Sequence, residues 1–181
     1  MSNKRIYLTG FMGSGKSTIG PILANVLGWE FSDLDKLIET ELNDSVSNVF
    51  LTRGELFFRE IESLMLRRTV EADNLVLALG GGTLTTAGNL ELIKKTGISV
   101  YLKSSPDEIY RRLQFKTDRP LLKSESEIPL SAFETKAKIS ELLRKREPTY
   151  LHADIIYVID NLSVGKTVDG LVNLLNRKFR L

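Results

Sequence analysis

"RIYLTGFMGSGKST", residues 5–18, sets a short apolar run against a turn in which three glycines fall within six positions, followed by a lysine and two hydroxyl side chains. Glycine weakens helices and strands alike, so such a cluster needs a reason in backbone geometry. A loop that wraps a polyphosphate supplies one. Its successive N–H groups must point inward, and side chains would obstruct both that conformation and the close approach. The stretch matches G-x-x-x-x-G-K-[ST] through Gly10, Gly15, Lys16 and Ser17. An apolar run at 5–9 precedes it, and a helical pattern over 16–27 follows, its apolar side reading Ile19, Ile22, Leu23, Val26 and Leu27. Gly13, Ser14, Gly15, Lys16, Ser17 and Thr18 are the expected phosphate cradle, aided by the positive end of the helix dipole. Lys16 is expected to neutralise the β and γ phosphates of ATP, and the Ser17 hydroxyl to ligate Mg²⁺.

Outward from this loop, the chain alternates short apolar runs with longer amphipathic segments. "LVLAL" (75–79), "ISVYL" (98–102) and "IIYVI" (155–159) are apolar throughout, as "RIYLT" (5–9) nearly is, and "WEFSD" (29–33) is a weaker case of the same kind. Continuous apolar runs of this length read as strands buried on both faces, the habit of parallel sheets. Helical patterns cover 16–27, about 54–73, 87–95, 106–113, 131–147 and 164–178. Strand and helix in alternation predict a three-layer α/β/α domain with a central parallel sheet of about five strands. The 181 residues suit one such domain, 1–181, and are too few for two. Residues 115–130, "FKTDRPLLKSESEIPL", hold no clean period and are expected to be a lid loop.

Composition narrows the function classes. With 25 Lys and Arg against 23 Asp and Glu, the charge is nearly balanced and gives no general case for a nucleic-acid partner. The absence of cysteine excludes disulfides and thiolate metal sites, and a single histidine, His152, excludes a multi-histidine centre. No apolar stretch is long enough to cross a bilayer, and no signal-peptide core opens the chain. A cytoplasmic, monomeric enzyme acting on a small molecule is expected.

Three further constellations surround the loop. "FSDLDKLIE" sets Asp33 and Asp35 two apart at the end of a predicted strand, where extended chain would turn both carboxylates to one side and into the cleft. One carboxylate could hold Mg²⁺ or accept a hydroxyl proton and the other could bind substrate hydroxyls; alternatively Asp35 simply caps the next helix. "GELFFREIE" (54–62) places Glu55, Arg59 and Glu62 on one helix face, either as a surface ion-pair ladder or as a braced arginine aimed at an anion. "LALGGGT" ends a strand in three glycines, which permits close approach of a ligand to the backbone.

Taken in order, "GFMGSGKSTIG", "SDLD", "GELFFR", "LGGGT", "DRPLL" and "KREPTY" resemble the shikimate kinase family over essentially the whole chain. The resemblance implies a P-loop kinase fold and ATP-dependent phosphorylation of the shikimate 3-hydroxyl, a step toward chorismate and the aromatic amino acids. It places Asp35 on substrate hydroxyls, Arg59 and Arg146 on the substrate as cationic contacts, and the Gly81 N–H beside them. Arg119 of the lid is implied at the ATP phosphates, and Asp33 as general base or metal organiser. The family often carries an arginine or glutamine after the last strand, where this chain has "DNLSV" (160–164). Arg112 is therefore the candidate for stacking on the base. The glycine triplet and the KR-x-P-x-Y segment favour shikimate over gluconate, another hydroxylated carboxylate.

Overall fold

A computed structural model describes residues 4–114 and 131–179. Strands β1 (Arg5–Thr9), β2 (Glu30–Asp33), β3 (Leu75–Ala78), β4 (Ile98–Lys103) and β5 (Ile155–Val158) form one sheet in the order β2-β3-β1-β4-β5. Every neighbouring pair is parallel, with Ile6 opposite Val76 on one side and Ile98 on the other. The helices are α1 (Lys16–Leu27), α2 (Leu34–Leu42), α3 (Val46–Arg68), α4 (Asn89–Thr96), α5 (Pro106–Leu113), α6 (Ala132–Tyr150) and α7 (Val164–Phe179).

The period-2 pleat of β1 divides the core. Ile6 and Leu8 join Val76, Val100 and Leu102 in a cluster closed by Leu23 of α1 and Leu171 of α7. Tyr7 points the other way, into a cluster with Leu77, Tyr101, Ile38 of α2, Leu66 of α3, Ile93 of α4, Ile109 of α5 and Ile139 of α6. This is the α/β/α architecture that the alternating pattern predicts. Its consequence for function is positional. The carboxyl ends of β1, β2 and β3 lie side by side, so the loops that follow them open on one crevice.

Four local expectations are corrected. Ile22 and Val26 are 42% and 55% exposed, so the buried stripe of α1 is Ile19, Gly20, Leu23 and Ala24. β5 is an edge strand with Ile156 and Val158 turned to solvent, not a strand buried on both faces. Residues 34–42 are helical, although their sequence holds only a short apolar pattern; Asp33 starts this helix and Asn43, at φ +49°, stops it. Finally, α3 begins at Val46 behind a Ser45 N-cap, and Gly54 (φ +80°) breaks it in two rather than starting it. The segment 115–130, with Arg119, lies outside the described residues.

Candidate active site

The glycine-rich loop after β1 ends at Gly15, which caps α1 in the left-handed region (φ +88°) and has no side chain to supply a capping bond. The first turn of α1 is thereby left open at its N-terminus, where unpaired N–H groups and the dipole favour an anion. Ser14 N–H donates to Phe11 O at 3.1 Å, and Thr18 and Ile19 N–H donate to Gly15 O at 2.9 and 2.8 Å. Lys16 curls back over the loop, its Nζ 2.8 Å from Gly10 O and 3.2 Å from Phe11 O. Along this loop Gly13, Gly15 and Lys16 are partly exposed and Ser17 and Thr18 exposed, while Ser14 is buried.

The carboxyl end of β2 meets this loop directly. The Ser17 hydroxyl donates to Asp33 Oδ2 at 2.8 Å, and the Asp35 N–H donates to Asp33 Oδ1 at 3.1 Å. Asp33, not Asp35, is therefore the N-cap of α2. The extended D-x-D expectation fails for the same reason: the chain turns into α2 at Asp33, so Asp35 already lies in the first helical turn. That turn sends Asp35 inward, toward the end of β3. Burial, followed by the charges of Asp33 and Glu62, pushes its carboxyl up to about 6.

The triplet after β3 is the centre around which the remaining side chains gather. A methyl group on Gly80 would sit 2.9 Å from both Asp35 Oδ1 and Glu62 Oε1. On Gly81 it would lie 3.0 Å from Arg146 Nη1, and on Gly82 it would be 2.8 Å from Arg59 Cζ. Each glycine of the triplet is vacated for a different charged side chain. This is the close approach that the triplet suggested, made here by side chains from α2, α3 and α6.

Arg59 is braced, as one of the two sequence readings had it. Its Nη1 donates to Glu62 Oε2 at 2.9 Å, while its Nε and Nη2 donate to Glu55 Oε1 at 3.2 and 3.0 Å. The rings of Phe58 and Phe50 lie 5.2 and 5.8 Å from its Cζ. Glu62 is 0% exposed, so it is no surface partner. A buried carboxylate must be fully paired, and Thr83 Oγ1 completes the set by donating to its Oε1 at 2.6 Å. Arg146, one turn before the end of α6, reaches the same triplet, and the Tyr150 hydroxyl lies beside it, 3.5 Å from a methyl built on Gly81.

Arg112 stands apart, on the other flank of the loop. Its Nε donates to Glu108 Oε1 at 2.8 Å and its Nη1 comes within 4.0 Å of a methyl built on Gly15. Asp160, beyond β5, accepts from the Ser104 hydroxyl at 2.7 Å and the Ser105 N–H at 3.0 Å, fixing the start of α5 and so the place of Arg112.

The description "Shikimate kinase" belongs to the family whose sequence profile matches residues 12–176. The chain belongs to the shikimate kinase family. A curated shikimate kinase of Chlorobaculum parvum is 49% identical over 97% of this chain and 94% of its own. Among solved structures, the shikimate kinase of Bacteroides thetaiotaomicron superimposes with a TM-score of 0.89 at 37% identity, covering 97% of this chain and 99% of that one. The shikimate kinase of Acinetobacter baumannii, solved in complex with shikimate, gives a TM-score of 0.86 at 33% identity over 99% of this chain and 96% of that one. The five-stranded parallel sheet with flanking helices is the fold of these shikimate kinases.

Asp35, Arg59, Gly81 and Arg146, expected together in a shikimate kinase, converge on one turn, and Asp33 links that turn to Ser17. Arg112 does not join them and keeps to the Gly15 flank of the glycine-rich loop. One residue was read only in part, and another had no role assigned by sequence. Glu62 is the buried counter-ion of Arg59, and the apolar Phe58, Met65 and Leu66, at offsets of −4, +3 and +4, mark its helix face as the inner one. Tyr150 follows Arg146 by one turn and was the unused end of "KREPTY". His152 is exposed, in line with a surface position.

Proposed function

We propose that this chain transfers the terminal phosphoryl group of ATP to the 3-hydroxyl of shikimate, giving shikimate 3-phosphate for chorismate and aromatic amino acid synthesis. One observation carries the assignment: two guanidinium groups and a half-buried carboxylate meet at the Gly80–Gly82 turn, joined through Asp33 to the phosphate-loop serine. Shikimate is a small carboxylate bearing hydroxyls, so it needs cations and hydrogen-bond acceptors within a few ångströms of each other. Arg59 and Arg146 meet its carboxylate, since a guanidinium fork matches two carboxylate oxygens. Asp35 accepts from its hydroxyls, and a carboxyl raised to about 6 is ionised at neutral pH yet a better acceptor than an ordinary aspartate. The Gly81 N–H adds a neutral donor on the same side.

Gly13, Ser14, Gly15, Lys16, Ser17 and Thr18 hold the ATP phosphates, and Arg112 lies against the base. Lys16 leaves its carbonyl partners to balance charge on the transferring group, because phosphoryl transfer depends on positioning and charge stabilisation. Arg119, assigned by the family likeness, adds a second cation there. The Ser17 hydroxyl and the Asp33 carboxylate, 2.8 Å apart, suit Mg²⁺, a hard ion held through one or two protein oxygens plus phosphates. When bound, the ion neutralises charge on the β and γ phosphates. We place the enzyme in the cytoplasm, as a single domain working as a monomer. Among the described residues no helix is long and apolar enough to cross a membrane.

Coupled ADP release measured with shikimate, gluconate and nucleoside monophosphates tests the assignment. Shikimate should stimulate turnover well above the rate without acceptor. A shikimate rate equal to that background would overturn the acceptor identity, and sedimentation as a stable dimer would overturn the monomer.

A further inference from the structure

Tyr150 is the last residue of α6 and is 1% exposed, yet its hydroxyl reaches a residue 69 positions away: Oη donates to Gly81 O at 2.6 Å. The Arg146 guanidinium shares that corner: a methyl built on Gly81 would lie 3.0 Å from Arg146 Nη1 and 3.5 Å from Tyr150 Oη. A phenol has one proton and two lone pairs, and a guanidinium only donates. With the proton committed to the Gly81 carbonyl, the polarity is set: Oη–H donates to the glycine turn, and Oη turns its lone pairs, not a proton, toward the neighbouring cation. Burial pushes the phenol up to about 12, so the proton stays in place at neutral pH. The ring cannot swing away. It lies 5.2 Å from the ring of Tyr101, whose hydroxyl donates to Glu147 Oε1 at 3.3 Å, and Lys103 holds that carboxylate at 2.8 Å.

From these contacts we propose that Tyr150 is a positioning residue for the acceptor. It couples the Arg146 guanidinium to the Gly81 carbonyl, so that the cation and the glycine turn that carries the Gly81 N–H are held as one unit. The inference rests on the acceptor site described above. Tyr150 itself touches neither substrate nor nucleotide in this scheme. Its action is to remove two freedoms at once: rotation of a long cationic side chain, and rocking of a peptide plane between glycines.

Tyr150→Phe removes one oxygen and keeps the ring on Tyr101. Loss of the bond to the Gly81 carbonyl, and of the lone pairs that face the Arg146 cation, should raise the KM for shikimate about tenfold. The KM for ATP should stay within about twofold, since the nucleotide flank is untouched. In an Arg146→Ala background the same change should cost less than about twofold, because the cation it orients is gone. Equal rises in both KM values would assign Tyr150 to the fold and overturn the proposal, as would independent, multiplying losses in the double variant. A normal shikimate KM in Tyr150→Phe with an impaired Arg146→Ala would overturn the positioning role alone. A normal shikimate KM in Arg146→Ala would remove the acceptor site and this role with it.

Discussion

A single methyl group at Gly82 should separate substrate binding from everything else this enzyme does. The backbone at Gly82 (φ −114°, ψ −2°) is open to any residue, so alanine brings no conformational strain. What it brings is a collision, with the new Cβ 2.8 Å from Arg59 Cζ and Nη1. Ordinary carbon contacts lie at about 3.5–4.0 Å, so the guanidinium must retreat by roughly 1 Å. It is the far end of a flexible side chain and can do so, at the cost of its bonds to Glu62 or Glu55. A misplacement of about 1 Å in a substrate-positioning group costs up to about 100-fold. We expect kcat/KM for shikimate to fall about 30- to 100-fold, equivalent to about 2–3 kcal/mol. The KM for ATP should remain within about twofold. Thermal unfolding should shift by no more than about 2–4 °C, the change that about 1 kcal/mol makes in a domain of this size. Steady-state kinetics with each substrate varied in turn, alongside a melting curve, measure all three. A shikimate KM within twofold of the parent enzyme, or an equal loss for ATP, would show that Arg59 does not hold the acceptor.

Gly80→Ala should behave differently, because it presses on Glu62 and Asp35 at 2.9 Å and Glu62 is buried; a melting temperature lower by well over 4 °C is expected, and an unchanged melt would contradict the rigid counter-ion. Lys16→Ala should abolish phosphoryl transfer in the coupled assay with the fold intact by circular dichroism, and near-normal kcat would remove Lys16 from the mechanism. Asp33→Asn should raise the Mg²⁺ concentration needed for half-maximal rate by about tenfold or more while leaving shikimate binding in place; an unchanged Mg²⁺ titration would assign the ion to other ligands. At Asp160 burial pushes the carboxyl up, but hydrogen bonds from Ser104 and Ser105 outweigh it and hold it below the usual range. Its stabilisation is thus complete above the unfolded value near 3.9 and disappears as pH falls through the lower folded value. The melting difference between the parent and Asp160→Asn should shrink below about pH 4, and a difference independent of pH would mean that charge plays no part.

The phosphate loop was legible because its function is a backbone shape, and only glycine at Gly10, Gly13 and Gly15 permits those positive φ values. The β1, β3 and β4 runs were legible for a related reason, since strands buried on both faces must be apolar at every position. β5 was found but misjudged, as an apolar edge strand spells the same as a central one. The D-x-D pair was placed correctly at the cleft and given the wrong backbone. A capping aspartate and a strand-end aspartate are the same letter, and which one forms depends on where the next helix docks. Glu62 was read beside Arg59, but its second partner, Thr83, lies 21 residues away and Tyr150's partner lies 69 away, so neither of those contacts could be seen. Local periodicity reports that a side chain is inside; it does not report what it meets there.

Three of the five N–H groups of Arg59 are already spoken for: Glu55 takes two and sits 66% exposed at the rim, while Glu62 takes another from within. If Arg59 holds the acceptor as proposed, an organic acid arriving at that guanidinium competes with a tethered rival rather than entering an empty berth. Association becomes a swap of one anion for another, and the net gain is a difference between two similar attachments. Such an exchange would keep the cation paired between turnovers and would return the product to solvent by running the same displacement backwards.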